Sequence, residues 1–284
     1  MGYGGYSVST RATSGRSAFY ASAAPSEIFK EVTINSSMNP KNVKVRESRD
    51  SKEHPNSVAI VLALDVTGSM GSIPHHLVKE GLPDIMDSII KSGIKDPQLL
   101  FVGIGDHECD KFPLQVSQFE SNDELLDKWL TDLYLEGGGG GNSGESYILA
   151  WYFAGKHTAI DCFEKRKQKG FLFTVGDEDY LKEIPRAAFE CIMGSKKEHT
   201  TMSAPALLEK AKEQYNVYHI LVKEGSEGSE KYVYNSWKQL LGKNLIVAEK
   251  HQDIPKLIVD IIKNNVGKKE SHSDTDSKKE DIIL

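Results

Sequence analysis

Cysteine is scarce, with three in 284 residues: Cys109, Cys162 and Cys191. An odd, widely spaced set makes neither a disulfide framework nor a zinc knuckle, so the fold has to rest on its apolar core. Long hydrophobic runs are missing too. No stretch approaches the ~20 apolar residues of a membrane span, and the opening MGYGGYSVSTRATSGRS lacks the apolar segment of a secretory signal. Basic charge is not in excess: the formal net charge is −6, with no long basic stripe, which disfavours a nucleic-acid-binding surface. These absences lead us to expect a cytoplasmic chain with neither membrane nor nucleic acid as its partner.

What is present is one large domain between two polar tails. Hydrophobic residues make up 39% of the chain, below the usual globular share, and the deficit gathers at the ends. Residues 1–54 are rich in Ser, Gly, Thr, Asn and Lys and read as a flexible N-terminal arm that pins at most one or two short segments on the domain. Residues 267–284 read as a flexible charged C-terminal tail.

Between them, over 55–266, strands and helices alternate. Ser57–Leu64 (SVAIVLAL), Gln98–Ile104, Gly170–Val175 and Val217–Val222 are continuous apolar, β-branched runs, the pattern of strands covered on both faces. Phe112–Phe119 alternates and suits an edge strand, and Asn244–Val247 is a short strand. Helical patterns lie between, one of them over 74–91 with Pro83 inside it, where the helix should bend or break. Alternation of this kind predicts an α/β fold: a doubly wound, mostly parallel central sheet flanked by helices. Ligands of such sheets sit beyond the carboxyl ends of the strands, at the topological switch point.

Three polar loops leave that edge. Asp65-Val66-Thr67-Gly68-Ser69 places a carboxylate and two hydroxyls at alternate positions. Gly137–Ser146 (GGGGGNSGES) sets Asn142 and Ser143 ahead of a helix, and Gly176-Asp177-Glu178 follows a buried strand. Two carboxylates with two or three hydroxyls suit a hard, six-coordinate cation: Mg²⁺ first, Mn²⁺ next, Ca²⁺ less well. No Cys or His is placed to join, which argues against zinc. Each piece has a plainer reading: Asp65 and Ser143 as helix caps, Asp177 as a loop acid, the glycine run as a linker. Asp106-His107-Glu108 lies on the same edge and reads as an exposed turn, and His75-His76 as a solvated helix start.

Asp65-x-Thr67-x-Ser69 after a hydrophobic strand resembles the motif that opens the metal-ion-dependent adhesion site of von Willebrand factor A (VWA) domains. The glycine-rich loop, with Ser143 where that family has Thr, looks like its second loop, and Asp177 looks like its third-loop Asp. The intervals of roughly 75 and 35 residues fit, and the resemblance covers about Ser57 to Ile262. It implies direct hydroxyl ligands at Thr67, Ser69 and Ser143, Asp65 acting largely through water, and Asp177 direct or through water. It implies no catalysis. The function it suggests is an intracellular adaptor whose cation takes an Asp or Glu carboxylate from a protein partner, in the manner of family members that work beside AAA+ ATPases of the MoxR kind or in stress-response assemblies. Two other classes stay open. One is a metal-dependent phosphoester or nucleotide hydrolase, which lacks support from any GxxxxGK[ST] motif. The other is a structural component of a larger assembly.

Overall fold

The computed structural model describes residues 5–70, 73–135, 144–194 and 200–276, except for the side chains of Ser69 and of 267–276. Its centre is a six-stranded sheet: β1 (Val58–Asp65), β2 (Pro97–Ile104), β3 (Leu114–Val116), β4 (Gly170–Gly176), β5 (Tyr215–Val222) and β6 (Leu245–Ala248). The spatial order is β6-β5-β4-β1-β2-β3. Every pairing is parallel except that of β2 with the edge strand β3.

The interleaving of side chains on β1 explains its unbroken apolar run. Ala59, Val61 and Ala63 enter one core, built on the helix Ile148–Lys156; Val58, Ile60, Leu62 and Leu64 enter the other, built on Leu82–Lys91 and the first turns of Ile254–Asp276. A strand buried on both faces cannot alternate in polarity. The chain winds from β1 toward β2 on one side and from β4 toward β5 on the other, so the order reverses between β1 and β4. Leu64 pairs with Val175 in register, and Asp65 and Asp177 therefore leave the sheet side by side at that reversal.

Two expectations change. The segment before residue 55 is no loose arm: over 5–54 it forms the short helices Val8–Thr13, Arg16–Ser22 and Pro25–Ile28, and Arg46–Ser48 pairs with Thr158–Ile160. Tyr20, Ile28, Phe29 and Met38 are buried in the second core, and the Arg11 guanidinium, 2% exposed, grips Asp127 through Nε at 3.0 and 2.9 Å. Sparse apolar residues suffice because these four land in the core and Arg11 and Arg16 pair with Asp127. At the other end the last helix runs through to Asp276, beyond the domain end expected at 266; residues 277–284 lie outside the described set.

Pro83 does not break its helix. The turn before it widens into a π-helical stretch, Leu77–Gly81, closed by the Leu82 N–H on Leu77 O. That insertion absorbs the missing proline donor. Arg11 Nη2 donates to Val78 O at 2.6 Å, capping a carbonyl inside the widened turn.

Candidate functional site

Asp65 ends β1 with no exposed surface. The Thr67 backbone N–H donates to its Oδ1 at 2.9 Å and the Thr67 hydroxyl to the same oxygen at 2.5 Å, a tight loop that returns the chain toward the following helix. Its other oxygen, Oδ2, accepts from the Tyr147 hydroxyl at 2.7 Å. Asp177 is equally buried one residue past β4, and the Ser226 hydroxyl lies 3.4 Å from its Oδ2. Position 225 has to be glycine here, since a β-carbon on it would stand 2.1 Å from that oxygen. The structure thus brings Asp65, Thr67 and Asp177 together. Ser69 sits in the turn Gly68–Met70 with its side chain undescribed, and Ser143, with Glu136 to Asn142, lies outside the described residues.

Sequence reasoning missed Glu145. Its backbone bridges to the third loop, its N–H donating to Asp179 O at 2.8 Å and its carbonyl accepting from Leu181 N–H at 3.0 Å. The side chain is buried, and Oε2 has no hydrogen-bond partner among the described residues. Burial, then the charge of Asp65, push its pKa up to about 10. Burial also raises Asp65 to about 6 against the hydrogen bonds from Thr67 and Tyr147, with Asp177 adding to the rise. Glu178 reaches about 7, through burial and then Asp177. The charges acting most strongly on all three are other acids. The legible signal for Glu145 was a carboxylate two residues past Ser143 in the same loop, which reads equally well as a first-turn helix acid.

The neighbouring loop after β2 is built around the same residues. The His107 backbone N–H donates to Ser146 Oγ at 2.9 Å, the same oxygen lies 2.8 Å from His107 Nδ1, and Asp106 Oδ1 accepts the Glu108 N–H at 2.9 Å. The turn expected to be exposed therefore has a buried carboxylate at its head. His76, expected to be solvated, is half-buried with its ring 4.9 Å from that of His251.

Beneath the loops lies an aromatic stack. The rings of His219 and Trp237 are 3.6 Å apart and nearly parallel, and Tyr147 meets both edge-on at 5.1 and 5.5 Å. Burial holds the His219 imidazole neutral. Trp237 Nε1 donates to Glu178 O at 2.9 Å, tying the stack to the third loop.

Does this donor set fit a cation? Every polar atom converging here is oxygen, and a buried carboxylate oxygen is left without a donor, as a hard cation requires. Among the described residues no group of three or more His, Cys, Asp and Glu closes on a point. Hydroxyls and water must therefore complete any shell, in keeping with the Thr67, Ser69 and Ser143 reading. The set fits an oxygen-coordinated divalent ion and does not fit zinc.

A different constellation lies near the starts of β1 and β2. His54 Nδ1 is 3.3 Å from Asp96 Oδ1, and Ser121 Oγ is 3.3 Å from His54 Nε2. This order of groups is that of a hydrolytic triad, but Ser121 is only 2% exposed. The trio ties together the segments at the entry ends of the strands.

No protein-family model matches the chain, and no curated relative does. Solved structures do. A pilus adhesin, SpaC from Lactobacillus rhamnosus GG, superposes with a TM-score of 0.53 at 11% identity over 76% of this chain and 31% of the adhesin. Its open conformation gives 0.50 at 10% identity. The vWF domain of the pilus tip protein Mfa5 from Porphyromonas gingivalis gives 0.45 at 10% identity, covering 79% of this chain and 96% of that domain. The chain spans about a third of the adhesin's length. The likeness to the adhesin bears on the fold alone and agrees with the strand order above: an α/β domain around a mostly parallel six-stranded sheet.

Proposed function

We propose that this chain is a metal-dependent protein-binding module and not an enzyme. The observation that carries the reading is the gathering of buried acids at the switch point, Asp65 and Glu145 foremost, with one Glu145 oxygen lacking a donor among the described residues. Acids so placed, without basic counterparts as their strongest influences, hold on to their protons, and a divalent cation would take the place of those protons and let the carboxylates ionise. Asp65, Thr67 and Asp177, with Ser69 and Ser143 by resemblance, would hold Mg²⁺ or Mn²⁺, with Glu145 close by. The ion supplies a Lewis-acidic site for a partner's Asp or Glu carboxylate. Cytoplasmic adaptor work beside a MoxR-like AAA+ ATPase or in a stress-response assembly is the use we assign to it, by resemblance alone.

A phosphoester hydrolase needs a nucleophile or an activated water with a base at hand. Asp65 is committed to Thr67 and Tyr147, and no lysine lies near the glycine run in sequence. Calorimetric titration with Mg²⁺ and Mn²⁺ tests the proposal. Binding by the wild type that vanishes in Asp65→Ala and in Glu145→Gln is expected; equal heats from the wild type and both variants would overturn it.

A further inference from the structure

A carboxylate carries about four acceptor positions on its two oxygens. Three of those of Asp65 are taken by protein donors: the Thr67 N–H, the Thr67 hydroxyl and the Tyr147 hydroxyl. The third is the unusual one. Thr67 lies in the same turn as Asp65, whereas Tyr147 comes from the start of the helix Ile148–Lys156, 82 residues on. Its placement is over-determined. The hydroxyl occupies the room a β-carbon on Gly176 would need, at 1.9 Å, its ring is wedged against His219 and Trp237, and the Glu178 N–H approaches its oxygen at 3.4 Å. Tyr147 is wholly buried, and burial with the surrounding acids keeps its hydroxyl protonated and therefore a donor.

From this geometry we infer that Tyr147 sets the metal preference of the site, by occupying Oδ2 of Asp65 and so denying Asp65 any bidentate grip on a cation. The inference rests on the cation-binding reading above. With at most one acceptor position left, Asp65 reaches an ion through a single lone pair or through water. Ca²⁺ draws on bidentate carboxylates and six to eight oxygens, whereas Mg²⁺ keeps six ligands and retains water. A clamped Asp65 disfavours the larger ion and leaves the smaller one hydrated. Tyr147 touches no ion; it is a positioning residue acting through Asp65.

The test is Tyr147→Phe in the full chain, which keeps the ring and removes the one oxygen. Affinities for Mg²⁺, Mn²⁺ and Ca²⁺ are measured by calorimetry, and the waters on bound Mn²⁺ are counted by electron-spin-echo spectroscopy in ¹⁷O-water. We expect the Ca²⁺-to-Mg²⁺ affinity ratio to rise by about tenfold or more, the scale of change when a residue holding a metal ligand is removed. We also expect the Mn²⁺ ion to lose one water as Asp65 binds directly. A general loosening of the fold would weaken all three ions together with no change in ratio or hydration, and that result overturns the inference while leaving the cation site standing. If the variant does not fold, the wild type still decides: tighter binding of Ca²⁺ than of Mg²⁺ overturns the inference. A wild type that takes up none of the ions overturns the cation reading, and this inference with it.

Discussion

The Tyr147 hydroxyl fills the space that a side chain at Gly176 would need: a β-carbon at 176 would sit 1.9 Å from that oxygen. Gly176 is also the last residue of β4, where it and Val175 are fixed by pairing to Leu221 and Ile220 of β5. Neither partner can retreat. Gly176→Ala should therefore destabilise the protein by about 1–3 kcal/mol or more, the cost of overpacking. The double variant Gly176→Ala/Tyr147→Phe should recover part of that loss. Denaturant melts of the four proteins check it; additive losses would mean that the two residues do not compete.

Gly225 is subject to the same constraint on the other side of the site, since its β-carbon would meet Asp177 at 2.1 Å. Gly225→Ala should lower metal affinity through displacement of Asp177 while leaving the aromatic stack intact. Trp237 fluorescence in the metal-free state should stay unchanged while Mn²⁺ affinity falls by about tenfold or more. A variant that binds as the wild type does would show that Asp177 takes no part.

The buried acids give the metal-free protein a definite response to pH. Asp65 and Glu178 titrate in the folded state near 6 and 7, above the ordinary carboxylate values, and Glu145 near 10. An acid that keeps its proton more tightly when folded favours folding at low pH, and that advantage disappears as pH climbs through the folded value. Between pH 5 and 8 the metal-free protein should lose at least about 3 °C in Tm, a shift of order 1 kcal/mol at this size. Saturating Mg²⁺ should restore more at pH 8 than at pH 5, because the ion competes with protons for the same oxygens. Scanning calorimetry at the two pH values, with and without Mg²⁺, measures both. A flat metal-free profile would sink the claim that these acids are buried together.

Much of this fold was legible from hydrophobic pattern alone. The runs at 57–64, 98–104, 170–175 and 217–222 became parallel strands, and nothing but burial on both faces tolerates seven consecutive apolar residues such as Val58–Leu64. Asp65 and Asp177 were legible because each is the first acid after such a run. Glu145 and Tyr147 were not, since one looks like a first-turn helix acid and the other like the opening of the core segment Tyr147–Phe153. Only the register of β1 beside β4 reveals that both face the same carboxylate. The N-terminal segment misled for a different reason: its apolar residues are few and aperiodic, and its attachment depends on charge pairing with residues more than a hundred positions away.

That attachment can be tested directly. Arg11→Ala leaves Asp127 buried without its guanidinium and frees the Val78 carbonyl in the widened turn. Removing one member of a buried pair costs about 3–5 kcal/mol, and Arg16, also on Asp127 at 2.8 Å, should hold the loss toward the lower end. Limited proteolysis should then cut within residues 5–30 of the variant and spare the wild type. Equal resistance would mean that the helices hold through Tyr20, Ile28 and Phe29 alone.

The Arg11–Asp127 link also has a temporal side. Its two ends are 116 residues apart, so on a ribosome adding about 5–20 residues per second the acid emerges roughly 6 to 23 seconds after the base. Through that interval Arg11 has no Asp127 to pair with, and the loop to be closed is too long to form early in folding. A contact made after the rate-limiting step leaves the speed of folding untouched and acts on the reverse reaction. The N-terminal clamp is thus a latch: it adds little to how fast the domain assembles and governs how long it stays assembled.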